Sequence, residues 1–593
     1  MGQDSERSGR IGRRGFLKGV SVAAGIGLAP WLAAACGNGP KAAPTKAGAG
    51  LDAAFFERPD GAIKDLSLDQ VPAAQQKTSY EQWVARAEGA YDPPIKLTTV
   101  AQTSPVTKYP KGDTLAKNVW TRAYESRYGI SVETKWSVDQ SQWEQRTNLM
   151  IGSGDLPDFF LASQSQLDQL IRADLIADLT ATYKDHATDQ VRATILEAGP
   201  TALESAVYGG KLMAIPFVEQ NETAPHWFIR KDLLDKAGLG VPKTMRELLD
   251  ACAAFTSNGT YGLAVGPSPN QDLGYLQAFF NGYHAYRGLW IEKDGKLAYS
   301  SVQPEMRAAL EQLQRMYKAK QIHPEFGTRT EEQVFEDWAN GKVGLIQGRG
   351  SGPNGTDILK TNNPKAEVVA LPVLSMDGEP AKAQVDQPNV RGYWVVRKGA
   401  EHPEALLKML DFWVSTFYLT PSDEVQAAFI SDGEEPNLWT LNKIALYRAY
   451  KNTDVHNTLT KLLDSKSADV ASYRPEVRFW YDYLKPAFTG GKIDGYQYRS
   501  LVGYYGPNSG RAVQDLYRKQ DLYMPDGFFG VPTATMSRRQ ASLDKIEAET
   551  FTKVIQGSPI AEFDTFVKEW KSVGGDQVTR EVNEWREQQR ARR

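Results

Sequence analysis

Residues 208–239, YGGKLMAIPFVEQNETAPHWFIRKDLLDKAGL, restrict the fold more than any other part of the chain. They open on a Tyr208-Gly209-Gly210 turn and continue as a short apolar strand, 212–217, with Pro216 inside it. Proline removes a ladder donor, so within a strand it marks an edge or an exit from the sheet. A polar run follows at 219–223, then a second apolar run at Trp227-Phe228-Ile229 and an amphipathic helix from Lys231. Two arrangements fit this order. In one, the chain leaves one compact unit and enters another, and the polar residues sit at the crossing, where a cleft would lie. In the other, the run is a surface loop between two elements of one domain.

Size favours more than one unit. A chain of 593 residues exceeds an ordinary single domain, and two or three are expected. Apolar residues make up 41% and charged residues 24%, a globular balance. The net charge is −3; residues 1–35 hold five Lys/Arg and two Asp/Glu, so the remainder carries −6. That sign argues against a nucleic-acid partner. The 14 Trp and 26 Tyr suit the apolar faces of sugars as well as cores.

The N-terminus reads as an export signal. Arg13-Arg14-Gly15-Phe16-Leu17-Lys18 resembles a twin-arginine motif, and the apolar run 20–32 is too short to span comfortably as a permanent helix. Leu32-Ala33-Ala34-Ala35-Cys36-Gly37 resembles a lipobox, in which a peptidase cuts before Cys36 and its thiol carries diacylglycerol. Ala33, where lipoboxes usually have Leu, and Gly12, where Ser or Thr usually precedes the arginines, depart from these patterns. The alternative is a plain secretory signal with a chance cysteine. If Cys36 is lipidated, Cys252 has no disulfide partner; it lies in the helical run 244–255 and reads as an inert buried thiol. Residues 38–50, rich in Ala, Gly, Lys and Pro, read as a flexible tether. Residues 80–87 suit a short helix, and no fold is assigned before Pro93.

From there the pattern alternates. Residues 95–100 predict a strand, 118–128 a helix with Val119, Trp120, Ala123 and Tyr124 on one face, and 130–134 a second strand. That β-α-β order predicts a parallel pair. Residues 143–151 predict a helix ending at the turn Ser153-Gly154-Asp155-Leu156-Pro157-Asp158, and 159–162 a third strand. The turn lacks phosphate-loop spacing, and Asp155 and Asp158 read as turn and cap residues. After the crossing, Thr244 and Glu247 form a capping box, 261–265 a strand, and 290–295 the start of a hairpin. Helices are expected at 304–319 and 331–340. A buried strand at 343–346 leads into the loop Gln347-Gly348-Arg349-Gly350-Ser351-Gly352. Strands at 368–373 and 393–396, a helix begun by His402-Pro403-Glu404, and helices at 444–463 and 475–486 complete the pass.

Several of these segments carry a resemblance. The Gly209-Gly210-Lys211 turn, the Ile215-Pro216 strand, W-x-I-R-K-D-L-L-D-K-x-G-L at 227–239, Pro242-Lys243-Thr244, the 153–158 turn and residues 563–585 resemble family 1 extracellular solute-binding proteins. These are lipid-anchored receptors of ABC importers, and the long oligosaccharide-binding subgroup is the most similar. The resemblance covers roughly residues 91–585. It implies an α/β, two-lobed periplasmic-binding-protein-like fold of type II, with parallel-type sheets in each lobe and a hinge of crossing strands. The domain reading is then a signal peptide at 1–35, a lipid-anchored flexible linker at 36–90, lobe 1 at 91–218 plus about 375–430, and lobe 2 at 219–374 plus about 431–593. The implied function is capture of a carbohydrate between the lobes and delivery to an ABC permease, on the extracytoplasmic face of the membrane. The expected protein is a monomer with no cofactor and no catalysis. Some relatives carry a calcium loop here, but Ser257-Asn258-Gly259-Thr260 lacks the acidic spacing, so no such site is expected.

Catalytic motifs are absent. There is no G-x-S-x-G, H-E-x-x-H, phosphate loop or paired-Cys pattern, and the six His show no helical pairing. A glycoside hydrolase needs only two carboxylates and remains the alternative; a cell-surface adhesin would explain the anchor alone. Cleft residues are expected on loops after strands and at the crossing. The candidates are Gln102 and Thr103, Ser163, Gln164 and Gln166, then Glu219, Asn221, Glu222, His226 and Trp227. Arg391, Tyr393 and Trp394 flank the return strand, and Tyr504 and Tyr505 lie in a later Gly-rich turn. The resemblance to maltose-type receptors singles out Glu219. Those receptors carry a stacking Trp after the strand equivalent to 343–346, where this chain has Arg349 between glycines. A guanidinium suits a carboxylate, so a uronic acid in the ligand is the expectation, with a solvated surface arginine as the alternative.

Overall fold

The computed structural model describes residues 51–592 except 67–69, 104–108, 221, 258, 267–272, 351, 386–388, 432–436 and 466–468. The signal segment, Cys36, the 38–50 tether and Asn221 lie outside the described residues. Among the described residues no helix is long and apolar enough to cross a membrane.

The first described segment is not a free tether. Helix α1, Asp60–Leu66, puts Ala62 and Leu66 into a core, and Trp83 Nε1 donates to Thr416 Oγ1 at 3.0 Å. Val71 N reaches Ser472 O at 2.6 Å. Here the expectation of a flexible linker up to residue 90 fails. Phe55, Leu66, Val71 and Trp83 are spaced without a period, so no pattern betrays them, yet each finds an apolar seat of its own.

Strands β1, Ile95–Thr103, and β2, Ile130–Asp139, pair in parallel and are joined by α2, Val119–Tyr128. Asn118 Oδ1 caps α2 through Trp120 N at 3.0 Å, and Gly129, at φ 68°, ends it in the left-handed region that glycine tolerates best. Then come β3, Phe159–Ala162, α3, Gln164–Arg172, α4, Asp189–Leu196, and β4, Ile215–Val218. Asp158 is more than a turn residue. Its Oδ2 accepts from Thr98 N at 2.8 Å and its Oδ1 pairs with Arg397 Nη2 at 2.9 Å, tying β1 to the turn.

The chain then crosses into a second sheet. Strands β5, Pro225–Arg230, β6, Tyr261–Leu263, β7, Val343–Arg349, and β8, Val368–Leu371, lie in the order β8-β5-β7-β6. It returns as β9, Val390–Val396, which inserts between β3 and β4. Beside these sheets, Asp294 and Gly295, both at positive φ, turn a 290–299 hairpin.

The sheets are mixed rather than parallel. β9 runs antiparallel to β3 and β4, and β5 runs antiparallel to β7 and β8; of the second sheet only β7 and β6 are parallel. Connectivity forces this. β4 leaves the first sheet toward the crossing and β9 enters it from there, so neighbours must point opposite ways. The same holds for β5 entering and β8 leaving the second sheet.

Two separate apolar cores result. The first gathers 62–218 with β9, α5, Glu404–Tyr418, and residues 441–446. The second gathers 224–385 with residues 502–582. Helix α6, Lys451–Asp464, begins only at Lys451, where the sequence pattern starts one at 444; residues 444–450 form an irregular segment ending in a turn instead. With α7, Pro475–Phe488, it builds a small third cluster around Leu459, Tyr481 and Tyr505. Helices α8, Gly510–Gln520, α9, Met536–Ile555, α10, Ala561–Trp570, and α11, Asp576–Arg592, close the chain, and all four contribute buried side chains to the second core.

Candidate functional site

The two cores meet where the chain passes between them. Past β4, Glu219 N donates to Asn389 O at 3.0 Å and Asn389 Nδ2 donates to Glu219 O at 2.7 Å, so the outgoing and returning segments are bonded to each other. Asn389 holds φ at 55°, a conformation that Asn tolerates better than most residues. A third passage lies alongside, since Tyr447 N donates to Val218 O at 3.1 Å. Further on, Asn452 Nδ2 donates to Gln220 Oε1 at 2.9 Å.

Charged and aromatic side chains gather there. Glu219 and Arg391 approach to 3.7 Å with side chains 33% and 47% exposed. Burial pushes the Glu219 carboxyl above the usual carboxylate range, with Arg391 opposing. The Arg391 guanidinium lies over the Phe217 ring at 5.7 Å, and Phe217 stacks on Trp394 at 6.0 Å and tilts against Tyr447 at 5.4 Å. Lys443 stands close by. Burial lowers the pKa of its amine, and Arg391 lowers it further. Its Nζ donates to Thr440 O at 3.0 Å. Lys443 also lines a recess in the first unit, with Thr99, Ala101, Asn118, Tyr124 and Trp394 among its walls.

Sequence-derived candidates divide between the crossing, the surface and the interior. Glu219 and Arg391 stand together at the crossing, and Trp394 walls the recess while its Nε1 donates to Ala445 O at 3.2 Å. Gln102 and Thr103, half-buried, end β1. Ser163 and Gln166 serve as the capping box of α3, with Gln166 Nε2 bonded to Thr147 Oγ1 at 2.8 Å. Gln164 Nε2 reaches Phe529 O at 2.8 Å, a bond between the first unit and the C-terminal segment. Arg349 is exposed at the end of β7, opposite Pro225, and forms no ion pair among the described residues.

The others are held inside. Glu222 is fully enclosed, pairing with Arg511 at 2.9 Å and accepting from Thr453 N. His226 is fully buried on β5, and burial holds its pKa down at about 4. Trp227 lies in the second core, Tyr393 Oη donates to Ser205 Oγ at 2.9 Å, and Tyr505 packs 4.7 Å from Trp480. Tyr504 is half-buried beneath the Arg511 guanidinium at 5.4 Å. A polar residue beside a crossing need not face the cleft, because the crossing also needs an interior. Sequence reading missed Asn389, Lys443, Tyr447 and Arg511; the first three sit in irregular segments without periodicity, and Arg511 reads as an ordinary helix residue.

No group of three or more His, Cys, Asp or Glu among the described residues has metal-holding geometry. Cys252 is buried, and burial pushes its thiol up to about 12, far from a nucleophile.

Comparison with known proteins adds four findings. The pattern of the family described as bacterial extracellular solute-binding protein matches residues 108–416. The polygalacturonan/rhamnogalacturonan-binding protein YtcQ of Bacillus subtilis is 21% identical over 481 residues, 78% of this chain and 86% of that protein. Among solved structures, an HMO-binding ABC-transporter-associated solute-binding protein from Bifidobacterium longum infantis superposes with a TM-score of 0.54 at 16% identity, over 83% of this chain and 98% of that one. The alginate-binding protein AlgQ2, solved without calcium ion, gives 0.53 at 16% identity over 84% and 99%.

Proposed function

Since the chain belongs to the bacterial extracellular solute-binding protein family and shares its two-lobed α/β fold of the periplasmic-binding-protein type II, we propose that it captures a carbohydrate between its lobes and hands it to an ABC permease. The observation that carries this reading is the crossing. Two segments bonded to each other beside half-buried Glu219, exposed Arg391 and the Phe217–Trp394 stack give a bendable joint next to groups suited to a sugar. Polar groups there meet hydroxyls, and the aromatic rings meet C–H faces. Lobe 1 then comprises the first core and lobe 2 the second, and closure of one on the other encloses the ligand. The similarity to a polygalacturonan/rhamnogalacturonan-binding protein supports an acidic plant oligosaccharide as ligand. No bond is made or broken in this mechanism.

In the same reading Cys36 carries lipid and residues 1–35 direct export. Recovery of a Cys36→Ser chain in the soluble fraction supports the anchor; retention in the membrane counts against it. Capture itself is tested by incubating the soluble chain with pectin- and xylan-derived oligosaccharides. The expected outcome is a raised melting temperature with every oligosaccharide recovered intact. Shortened products indicate a hydrolase, and an unmoved melting curve across the panel removes the capture reading.

A further inference from the structure

The charges at the crossing do not balance. Arg391 stands 3.7 Å from one carboxylate, Glu219, which burial disfavours as an anion, and Lys443 lies close enough to Arg391 for the two cations to repel. The Arg391–Glu219 approach of 3.7 Å is long for a charged hydrogen bond, so the guanidinium keeps donors for another acceptor. Among the described residues no carboxylate forms an ion pair with Lys443, whose one hydrogen bond goes to a neutral carbonyl, Thr440 O. Holding an ammonium half-buried beside a guanidinium costs free energy that no ion pair among the described residues offsets. Two neighbouring cations in that condition, one of them lining a recess, suit an anion from outside. Trp394, which shares the walls of that recess with Lys443, supplies an apolar ring beside it.

We infer that Arg391 and Lys443 together read a carboxylate on the captured sugar, so that lobe 1 carries the acid-recognition site and the ligand contains a uronic acid. This deepens the capture reading and rests on it. It also moves the charge-reading role away from Arg349, which ends β7 in the other sheet. The carboxylate takes a two-pronged bond from Arg391 and one from Lys443.

The probes are trigalacturonic acid and its methyl ester, which differ in charge and keep the same ring hydroxyls. Calorimetric titration of the intact chain should show the acid bound at least about tenfold more tightly, a preference that salt weakens. Lys443→Met and Arg391→Gln should each lower affinity for the acid about tenfold and leave the ester unchanged. Lys443→Arg, which keeps the charge, should keep the preference. Melting curves of the free variants check folding, and Arg391, being exposed, gives the safer variant. Equal binding of the two probes, an acid preference that survives both substitutions, or a preference lost only in Arg349→Gln overturns the inference and leaves sugar capture standing. Binding of neutral oligosaccharides alone overturns it in the same way. Binding of no sugar overturns the capture reading, and this inference with it.

Discussion

His226 is enclosed completely on β5, with Gln514 Nε2 3.2 Å from its Nδ1 and Arg511 nearby. Burial holds its folded pKa at about 4, with Arg511 adding to the depression, against 6.5 when exposed. Between those values the unfolded chain binds the extra proton and the folded chain does not. The stabilisation is therefore complete above pH 6.5 and is lost as pH falls toward 4, by up to about 3 kcal/mol. Urea midpoints measured between about pH 4 and 7.5 should rise with pH, and His226→Gln should flatten the slope. A slope unchanged by the substitution assigns it elsewhere, and His456, whose pKa burial also lowers, is the next candidate. In the sequence His226 stood in the polar crossing and looked like a cleft residue. Nothing local marks it as core, because the helix that covers it, α8, comes nearly three hundred residues later.

Among the elements, the joint between β4 and β9 is the least regular and the most telling. Asn389 contributes a side-chain bond to Glu219 O and a left-handed backbone, and the two contributions can be separated. Asn389→Gly keeps the backbone and loses the bond, which should cost about 1 kcal/mol. Asn389→Ala loses the bond and strains the backbone, which should cost about 2 kcal/mol. Equal unfolding free energies for the two variants would show that backbone conformation is not part of the joint. The regular elements were far more legible: α2 with its Asn118 cap and Gly129 stop, the parallel β1–β2 pair and the 290–299 hairpin all follow from local pattern. The strands that proved antiparallel were not, because direction within a sheet depends on which sheet the chain has just left.

For the molecule as a whole, the passages of chain between the cores decide how the lobes can move. A buried network reinforces one of them. Arg448 pairs with Glu197 of lobe 1 at 2.6 Å and with Asp454 of α6, and Asp454 meets Arg518 of α8 at 3.1 Å. Closure should therefore bend the chain about the crossing and leave this network intact. Small-angle scattering with and without a bound oligosaccharide should show a smaller radius of gyration in the complex. Identical curves at saturating ligand would rule out closure as the means of capture.

By itself the sequence located many of the helices and strands and, through motifs spread from residue 153 to 585, determined which family it resembles. Those are local properties: periodicity, caps, turn residues and short strings of side chains. Only the tertiary structure decided that Glu222 and His226 are enclosed while Glu219 stays half-buried beside Arg391, although all lie within eight residues. It alone brought Lys443 beside Arg391, and it alone turned residues 53–83 into packed structure. The physical reason is common to all three. Burial and electrostatic environment are set by whichever distant segment covers a residue, and no residue carries that information in its own neighbourhood.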